Sequence, residues 1–505
     1  MMKAKPMQKV KTFLEKTPNA LLCVLGAVVF LAGFYFLTSR TPLNKIWLPT
    51  TMNNDEVLYN RQVVSVITHG GPQGYFGYQE GTADIGRYGT WGPLLIWAYA
   101  LPGFLFGSSV NVVLWCNLLF ITLGIAAFAR SAKLNWWQCI VLCAGLFAIA
   151  MPIRSCISGA SEAMHYMLAF LIVGSAAALH RTDKTGWLAV CAAACAVETI
   201  FRPYALLFWG FPLTAVWQNK RRRSVCFITA AAGFGVSLFA MTKLAAPYFS
   251  DGGMDFDGVQ LLLQGHPIAA IRYEWIRATA LLGNAWLYDI WPTIKGGKTY
   301  IGGGCVTFLV VVLAAVGCLL WDKRKGRPVV LKACALFCSA AIALVLLTMY
   351  NIDPRHMMLL AILLLGAIAV EDAAPAVVWL PILVVLLLPM NFERGSQPEM
   401  NEVMAAQMTV VEDALAADVQ TAGADPWDNT LAYTYDDGVF HGYLYAVPDG
   451  MGIEFDKNSY LWDAENPIYS RYVMCGHGTR VEERLLAENW QELVSTEDLV
   501  VYKRS

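Results

Sequence analysis

Two adjacent carboxylates, Asp55 and Glu56, lie in the segment TMNNDEVLYNRQVV (51–64), directly after the first long apolar run of the chain. A carboxylate beside a membrane can remove the proton from an attacking hydroxyl group and so act as a general base. The letters NNDE are equally typical of the N-terminal cap of a helix. The segment therefore allows two interpretations, a catalytic pair and a capped or solvated loop.

Arginines, histidines and further polar side chains recur at the ends of later apolar runs. Arginine is suited to phosphate because its planar guanidinium binds two oxygen atoms at once. A substrate with an anionic head group and a lipid tail would lie at the depth where these residues gather. The candidate binding residues are Arg87, Tyr88, Arg154, Glu162, Arg202, His266, Arg355 and His356.

These polar positions also have structural interpretations. Glu198 and Arg202 are four positions apart and can pair with each other on one helix. Arg154 can anchor a helix at the membrane interface, Asp353 can cap the next helix, and His266 can be an ordinary loop residue. The argument for a binding site therefore comes from the side of the membrane that these residues share, rather than from any single one.

The composition indicates a membrane protein. A chain of 505 residues with 57% hydrophobic and 15% charged residues is too apolar for an ordinary soluble protein. Several apolar runs are long enough, or nearly so, to cross about 30 Å of hydrocarbon as helices, which predicts a polytopic α-helical fold. The first run is too long and too late for a typical cleaved signal peptide, so we interpret it as a retained span. The runs are 21–38, 93–107, 110–129, 136–152, 163–179, 187–200, 203–218, 225–244, 304–320, 330–349, 355–370 and 374–390.

Basic residues in short loops mark the cytoplasmic side of a membrane protein and so predict the topology. If every run crossed, the basic amino terminus and the KRRR segment (220–223) would require opposite orientations. Removing the run 93–107, which is interrupted by Pro102 and Gly103, places all basic clusters on one side. We therefore expect a helix in the membrane interface at 93–107, about 11 transmembrane helices, a cytoplasmic amino terminus and an extracytoplasmic carboxyl terminus. The clusters are Lys3 to Lys16, Arg130 with Lys133, Arg181 with Lys184, KRRR (220–223) and DKRKGR (322–327).

The distribution of charge divides the chain. Residues 391–505 contain 21 acidic and 7 basic side chains, and residues 1–390 contain the remaining 17 of 38 acidic and 30 of 37 basic ones. We expect a transmembrane domain at 1–390 and a small acidic extracytoplasmic α/β domain at 391–505. Within the latter, 396–420 is consistent with a helical connector, VEERLLAENWQELV (481–494) has helical periodicity, and DLVVYKR (498–504) is typical of a closing strand. The basic residues fall in short loops, which argues against a nucleic-acid partner.

The order of these elements resembles the GT-C superfamily of integral-membrane glycosyltransferases, which includes protein O-mannosyltransferases and lipid A aminoarabinose transferases. The resemblance covers about residues 10–390. It rests on one span, a first outer loop with NNDEVLY (53–59), and the proline-bearing segment YGTWGPLLIWAYALPGFLFG (88–107). The segments FRPYALL (201–207) and DPRHMMLLAILLL (353–365) also look like family elements at later outer turns.

The chain departs from the family pattern at one position. Family members often have a His-Pro-Pro or Lys-Pro element at the start of the interfacial helix, where this chain has Trp91, Gly92 and Pro93. A cationic role at that position would therefore fall to Arg87. The tail resembles the variable extracytoplasmic domains that are appended to such enzymes.

The resemblance implies a function. The enzyme would transfer a sugar from a polyprenyl-phosphate-linked donor to an acceptor at the extracytoplasmic face, with inversion at the anomeric carbon. Asp55 would be the base, Glu56 would position the acceptor, the base or a divalent cation, and Glu162 would take the place of an acidic family residue. No aspartate-rich motif requires a cation, so no cofactor is certain, and the acceptor (a glycan, a lipid or a protein) stays open. The side chains implied to stabilise the leaving phosphate are Arg355, His356, Arg202, Arg154 and Arg87.

Two other classes of protein remain open. A transporter or flippase of lipid-linked saccharides would carry ionisable residues or broken helices near the middle of the membrane. Here the charged residues cluster at the ends of the apolar runs, which favours the enzyme. A membrane-anchored interaction protein would instead use the tail, 391–505, as its functional part. In every case we expect a multi-pass protein of the cell membrane.

Overall fold

The computed structural model describes residues 18–49, 54–74, 76–86, 88, 92–147, 149–218, 223–240, 242–243, 255–295, 298–299, 303–370, 391–392, 399–419, 425–434, 439–456 and 459–504. Arg87, most of the KRRR segment, the first basic cluster and the predicted run 374–390 lie outside these residues.

The described apolar runs form helices. In chain order the helices are α1 (Asn19–Ser39), α2 (Asn54–His69), α3 (Gly92–Gly103), α4 (Val112–Ala132), α5 (Trp136–Phe147), α6 (Ala150–Cys156), α7 (Glu162–Thr182), α8 (Thr185–Phe201), α9 (Gly210–Gln218), α10 (Arg223–Ala240), α11 (Asp257–Leu263), α12 (Pro267–Ala285), α13 (Trp291–Lys295), α14 (Gly304–Arg324), α15 (Val330–Met349), α16 (Pro354–Val370), α17 (Glu402–Asp418) and α18 (Arg480–Ala487).

A polytopic membrane protein is confirmed by the length and composition of these helices. Among the described residues, six helices are long and apolar enough to cross a membrane, namely α1, α4, α7, α10, α14 and α15. The pair α5 and α6, bent by 84°, adds a seventh if it forms one broken span, and α3, α8 and α16 are shorter apolar helices. The predicted number of about 11 spans is thus larger than the number that the described residues contain by this measure.

The predicted run 203–218 is not one continuous α-helix. Residues Pro203–Trp209 form a 3-10 helix, and α9 follows it. Arg202, directly before Pro203, has an extended backbone with φ −134° and ψ 101°. The ring of a proline disfavours the helical conformation of the preceding residue, which explains the break at this point.

The segment predicted to lie in the membrane interface is the short helix α3, which ends at Gly103 rather than at residue 107. A Cβ atom at Gly103 would lie 2.8 Å from Ile67 Cδ1, so α3 packs closely on α2. The Tyr99 hydroxyl of α3 donates to Asn117 Oδ1 of α4 at 2.7 Å. α3 therefore holds α2 against the bundle.

Helices α4 and α7 form the centre of the bundle through small residues that let their backbones approach. A Cβ atom at Gly124 would lie 2.7 Å from Met167 Cα. Beside this contact, the rings of Phe128 and Phe170 lie 5.2 Å apart. Small residues at such crossings allow close van der Waals packing between apolar helices in a membrane.

The predicted long outer loop, 245–303, is largely helical where the structure describes it, and contains α11, α12, the π-helix Trp286–Ile290 and α13. Arg277 in α12 donates through Nη2 to the Tyr350 carbonyl at 2.6 Å. Asp289 accepts from the Gly303 amide at 2.8 Å and so meets the start of α14. The segment therefore lies across the ends of α14 and α15.

The C-terminal region contains a mixed sheet. The strands, in chain order, are β1 (Phe76–Tyr78), β2 (Lys298–Thr299), β3 (Asn391–Phe392), β4 (Thr430–Tyr433), β5 (Gly452–Phe455), β6 (Tyr472–Cys475), β7 (Gln491–Ser495) and β8 (Val500–Lys503). One sheet has the order β1-β5-β4-β6-β8-β7, in which β1, β5, β4 and β6 are parallel and β8 is antiparallel to both of its neighbours, β6 and β7. We call it the C-terminal sheet, although β1 comes from the segment that follows α2.

The elements predicted for the tail agree with the structure in part. The connector at 396–420 contains α17, and the closing strand at 498–504 is β8. The helix predicted over 481–494 is wrong in its second half, because α18 ends at Ala487 and β7 begins at Gln491. Asn489 has a positive φ of 61°, which breaks the helical path between them.

A buried acid in the C-terminal sheet predicts a pH dependence of stability. Glu454 of β5 is 1% exposed, and neither carboxylate oxygen makes a hydrogen bond of standard geometry within the described residues. Burial, and then the charge of Glu80, raise the pKa of Glu454 to about 8, against a lowering effect of the Glu80 and Gly81 amides. Between its unfolded pKa, about 4.3, and that value, the folded protein keeps a proton that the unfolded chain has lost, so stability falls as pH rises.

We therefore expect Glu454→Gln to be nearly neutral at pH 5 and to stabilise the C-terminal region at pH 8 by about 1–3 kcal/mol. Thermal unfolding of the purified protein at the two pH values measures this difference. The control is Glu492→Gln on β7, an exposed carboxylate that should change stability at neither pH. Equal unfolding of the Glu454→Gln variant and the unsubstituted protein at pH 8 would contradict the prediction.

Candidate active site

The first turn of α2 carries both of the carboxylates with which the sequence analysis began. Asn54 Oδ1 accepts a hydrogen bond from the Asp55 amide at 3.1 Å. Acidic side chains in a first turn are favoured by the helix dipole. Val57, Val63 and Val66 of the same helix are buried and attach α2 to the bundle. Asn54, Asp55 and Glu56 therefore begin a helix, and its first turn presents Asp55 to the site described below.

Arg355 lies between two carboxylates that come from different helices. Its Nη1 atom is 3.7 Å from Asp55 Oδ2 of α2 and 3.8 Å from Glu162 Oε1 of α7. The side chains of Asp55 and Arg355 are 17% and 16% exposed, and that of Glu162 is 4% exposed. The cluster therefore runs from a partly open carboxylate to a buried one. We call the end of the bundle at which it lies the sheet end, because α2 and the C-terminal sheet meet there.

Asp353, in the turn before α16, fixes the other edge of Arg355. Its Oδ2 atom is 3.2 Å from Arg355 Nη2, and its Oδ1 accepts from the Arg355 amide at 2.8 Å. Burial raises the pKa of Asp353, but Arg355 and then His356 lower it more, so that it lies well below its usual value. Asp353 is therefore ionised at neutral pH and orients the guanidinium group.

A second arginine extends the cluster into the bundle. Arg202 Nη2 is 3.0 Å from Glu162 Oε1, and Arg202 Nη1 donates to the Tyr204 hydroxyl at 2.8 Å. The His356 ring lies 5.3 Å from the Tyr204 ring and 5.4 Å from the Tyr350 ring. The site thus combines two guanidinium groups and an imidazole that is flanked by two aromatic rings.

Glu56 has a different partner from Asp55. It is fully buried and forms an ion pair with Arg154 of α6, which is 3% exposed. A Cβ atom at Gly159 would lie closer than 3.0 Å to the Glu56 carbonyl oxygen, so the backbone after α6 rests directly on the first turn of α2. Breaking a buried charge pair leaves an uncompensated charge, which makes this contact a strong fixing point for α2.

Sequence reasoning missed a buried pair behind the cluster. His165 Nδ1 lies 2.8 Å from Glu198 Oε2, and both side chains are buried. The spacing in sequence allows Glu198 and Arg202 to pair on one helix, but the extended backbone at Arg202 ends α8 and removes that spacing. The signal that could have found His165 is its position three residues after Glu162, on the same side of α7.

Several buried polar atoms of the site lack a hydrogen-bond partner among the described residues. They are Glu162 Oε2, His356 Nδ1, and Arg154 Nε and Nη1. More than 90% of buried polar groups in native proteins are paired with protein or water. This concentration of available donors and acceptors therefore indicates a place for a polar ligand.

The remaining predicted site residues lie elsewhere or outside the described chain. The Tyr88 hydroxyl accepts from Trp97 Nε1 of α3 at 2.8 Å. His266 is exposed at the start of α12, and its side chain makes no hydrogen bond or ion pair with the described residues. Arg87 lies outside the described residues. The structure thus brings together five of the predicted residues, Asp55, Glu162, Arg202, Arg355 and His356. Glu56, next to Asp55 in the chain, pairs with Arg154.

No family model matches the chain, and no curated protein matches its sequence. Solved structures do match. The oligosaccharyltransferase of Archaeoglobus fulgidus, in complex with Zn and sulfate, has a TM-score of 0.54 and 12% identity over 90% of this chain and 68% of its own. ArnT of Cupriavidus metallidurans, bound to undecaprenyl phosphate, has a TM-score of 0.51 and 14% identity over 95% and 97%. Both are GT-C glycosyltransferases. The chain has the GT-C fold.

The GT-C fold confirms the resemblance that the order of sequence elements indicated. A third similar structure is AglB of Archaeoglobus fulgidus in complex with an inhibitory peptide and a dolichol-phosphate, with a TM-score of 0.52 and 12% identity over 91% of this chain and 69% of its own. In the GT-C fold of this chain, the cluster at the sheet end is formed by the first loop after α1 and by the later turns that had looked like family elements.

The carboxylates of the cluster are already paired with arginines. No group of three or more His, Cys, Asp or Glu side chains that could hold a metal occurs within the described parts of the chain. The guanidinium group of Arg355 already lies between Asp55 and Glu162, and Glu56 is paired with Arg154. A cation shared by Asp55 and Glu162 would have to displace Arg355, so the chemistry below rests on the arginines.

The close contact at Gly159 predicts the effect of adding one methyl group. Gly159→Ala forces the first turn of α2 to move, because a Cβ atom cannot approach the Glu56 carbonyl closer than 3.0 Å. We expect a loss of about 1–3 kcal/mol in stability and a roughly tenfold faster hydrogen exchange of the amides at 55–59. Gly71→Ala is the matched control, since a Cβ atom there meets nothing within 4 Å. Unchanged exchange in the Gly159 variant would show that this contact does not fix the turn.

Proposed function

We propose that the protein transfers a sugar from a polyprenyl-phosphate-linked donor to an acceptor hydroxyl, with inversion at the anomeric carbon. The observation that carries the proposal is the Asp55–Arg355–Glu162–Arg202 cluster at one end of the membrane helices of a GT-C fold. Undecaprenyl phosphate bound to ArnT and dolichol-phosphate bound to AglB support a polyprenyl phosphate as the lipid carrier. The acceptor is a glycan, a lipid or a protein.

The orientation belongs to the proposal as well. We infer about 11 spans, a cytoplasmic amino terminus, and a sheet end that faces outward with the domain 391–505. Helix α7 begins at Glu162 in the cluster and ends beside Arg181, which donates to the backbone carbonyls of Ser131 and Ala132. Basic side chains thus gather at the end of the bundle opposite to the cluster, as the positive-inside rule requires of a cytoplasmic end.

Asp55 is assigned as the general base. Its side chain is 17% exposed, so an acceptor hydroxyl can reach it, whereas the neighbouring Glu56 is fully buried. Asp55 takes the proton of the acceptor hydroxyl, and the acceptor oxygen forms a bond with the anomeric carbon of the sugar. The bond from that carbon to the phosphate oxygen breaks, and its electron pair leaves with the polyprenyl phosphate.

Arg355, Arg202 and His356 are assigned to the leaving phosphate. A lipid phosphate is already a good leaving group, so the protein has to stabilise negative charge rather than supply a strong acid. Arg355 and Arg202 both contact Glu162, which holds the two planar groups in one place before the donor binds. The Nδ1 atom of His356 has no hydrogen-bond partner among the described residues, so it is available to the phosphate. The cluster is therefore organised in advance for the charge that develops during transfer.

The other predicted residues have supporting roles in this proposal. Glu56 positions α2 through its ion pair with Arg154, and Arg154 keeps two buried donor atoms for a ligand. Arg87, Tyr88 and His266 are assigned to the binding of the donor or the acceptor outside the cluster. A divalent cation has no assigned step.

Asp55→Asn tests the base. The variant keeps the shape of the side chain but cannot accept the proton, so release of free polyprenyl phosphate from labelled donor should fall by about 100- to 10,000-fold. Asp413→Asn, an exposed position on α17, should retain full activity. Both variants should still fold and insert in the membrane. Turnover like that of the unsubstituted enzyme in Asp55→Asn refutes the assignment, and a flippase would release no polyprenyl phosphate in any variant.

Arg355→Ala tests the phosphate contact. Removal of a charge-assisted contact should raise the KM of the donor by about 10- to 100-fold and change the KM of the acceptor much less. Arg355→Lys keeps the charge but loses the planar group, and should therefore give a smaller rise with normal folding. Arg327→Ala, at the opposite end of α14, is the control. An unchanged donor KM in the Arg355 variants counts against the contact.

A further inference from the structure

The C-terminal sheet receives one of its strands, β1, from the segment that follows α2. β1 pairs in parallel with β5, with Phe76 opposite Ile453 and Tyr78 opposite Phe455. The rings of Phe76 and Phe455 lie 5.9 Å apart. β1 is the edge strand of this sheet, and in sequence it belongs to the membrane domain. Its hydrogen bonds with β5 therefore join the C-terminal sheet and the first loop into one unit.

Two charged side chains, one before β1 in the chain and one after it, bind the tail to this unit. Arg61 of α2 donates through Nη2 to the carbonyls of Pro448 at 2.9 Å and Met451 at 3.3 Å. Glu80 accepts from the Tyr469 and Ser470 amides, each at 2.7 Å. Most of these contacts are to backbone groups of the tail, and they fix its position against α2 and β1.

The backbone at the end of β1 is strained in a way that the tail compensates. Gln79 and Glu80 both have a φ of 55°, a conformation that non-glycine residues rarely adopt. Such a conformation costs about 1–3 kcal/mol per residue and persists where surrounding contacts enforce it. Ser470 holds Glu80 in this conformation, since its amide and its hydroxyl each donate to the Glu80 carboxylate at 2.7 Å.

A short chain of hydrogen bonds joins β1 to the proposed base. Asn54 Nδ2 donates to the Tyr78 hydroxyl at 2.7 Å, and Asn54 Oδ1 accepts from the Asp55 amide at 3.1 Å. One side-chain amide thus connects the last residue of β1 with the amide of Asp55. Any shift of β1 relative to the bundle is therefore transmitted to the turn that carries the carboxylate.

We propose that the C-terminal domain is a positioning element of the active site, which holds Asp55 in place through β1, Tyr78 and Asn54. This inference rests on the proposed function and assigns the domain a part in the transfer step itself. Tyr78 and Asn54 are positioning residues, since they act on the reaction through Asp55. The domain thereby couples its own folding to the geometry of the base.

Tyr78→Phe is the test, because it removes only the hydroxyl that contacts Asn54. In the full-length protein we expect kcat for polyprenyl phosphate release to fall about tenfold, while the donor KM changes less than about twofold. The amides at 55–60 should exchange several-fold faster. Tyr472→Phe is the matched control, since it removes a hydroxyl of the same sheet that donates to Asp418 Oδ2 at 3.0 Å, away from α2.

Asn54→Ala and the double variant complete the experiment. If the two residues act as one link, the double variant should lose no more activity than the more severe single variant. An unchanged kcat and unchanged exchange at 55–60 in Tyr78→Phe would overturn the inference, as would an equal fall of kcat in Tyr472→Phe. If the unsubstituted protein releases no polyprenyl phosphate, the proposed function fails, and the exchange rates at 55–60 alone decide whether the sheet fixes the turn.

Discussion

The guanidinium group of Arg355 is the point on which the site depends. It contacts Asp55, Glu162 and Asp353, which come from three separate elements of the chain. Charges removed from water are costly unless they are closely paired, so these elements have a strong energetic reason to meet at one place. The same arrangement leaves Asp55 partly exposed, where an acceptor can approach it.

Close backbone packing allows the elements that carry these charges to approach one another. Gly159 rests on the Glu56 carbonyl, and Gly304 rests on the carbonyl of Pro354 in the turn beside Arg355. A side chain at either glycine would push the backbones apart, and the ion pairs of the cluster would lengthen. The C-terminal sheet contacts the first turn of α2 through β1 and Asn54. The position of the base is therefore set by the bundle and by the tail together.

In our proposal the two arginines of the site bind an anion, beside the three carboxylates of Asp55, Glu162 and Asp353. Two arginines share Glu162, and Asp353 remains ionised because Arg355 and His356 lower its pKa against the effect of burial. Yet Glu162 and His356 retain buried atoms without partners among the described residues. In our proposal a phosphate and its sugar are the partners of these atoms. Charge-assisted hydrogen bonds to phosphate are strong and directional.

The sequence by itself determined the class of the protein, because long apolar runs have few stable alternatives to membrane helices. It also allowed the acid pair to lie at the start of a helix, and it singled out the segments around Arg202 and Arg355, which contribute to the site. Only the tertiary structure decided which acid meets which arginine: Asp55 pairs with Arg355, and Glu56 pairs with Arg154. Pairing between distant elements depends on packing and on breaks such as the one at Arg202, and no local pattern encodes it. For the same reason the sequence did not reveal that β1 belongs to the C-terminal sheet, since three residues carry no pairing signal of their own.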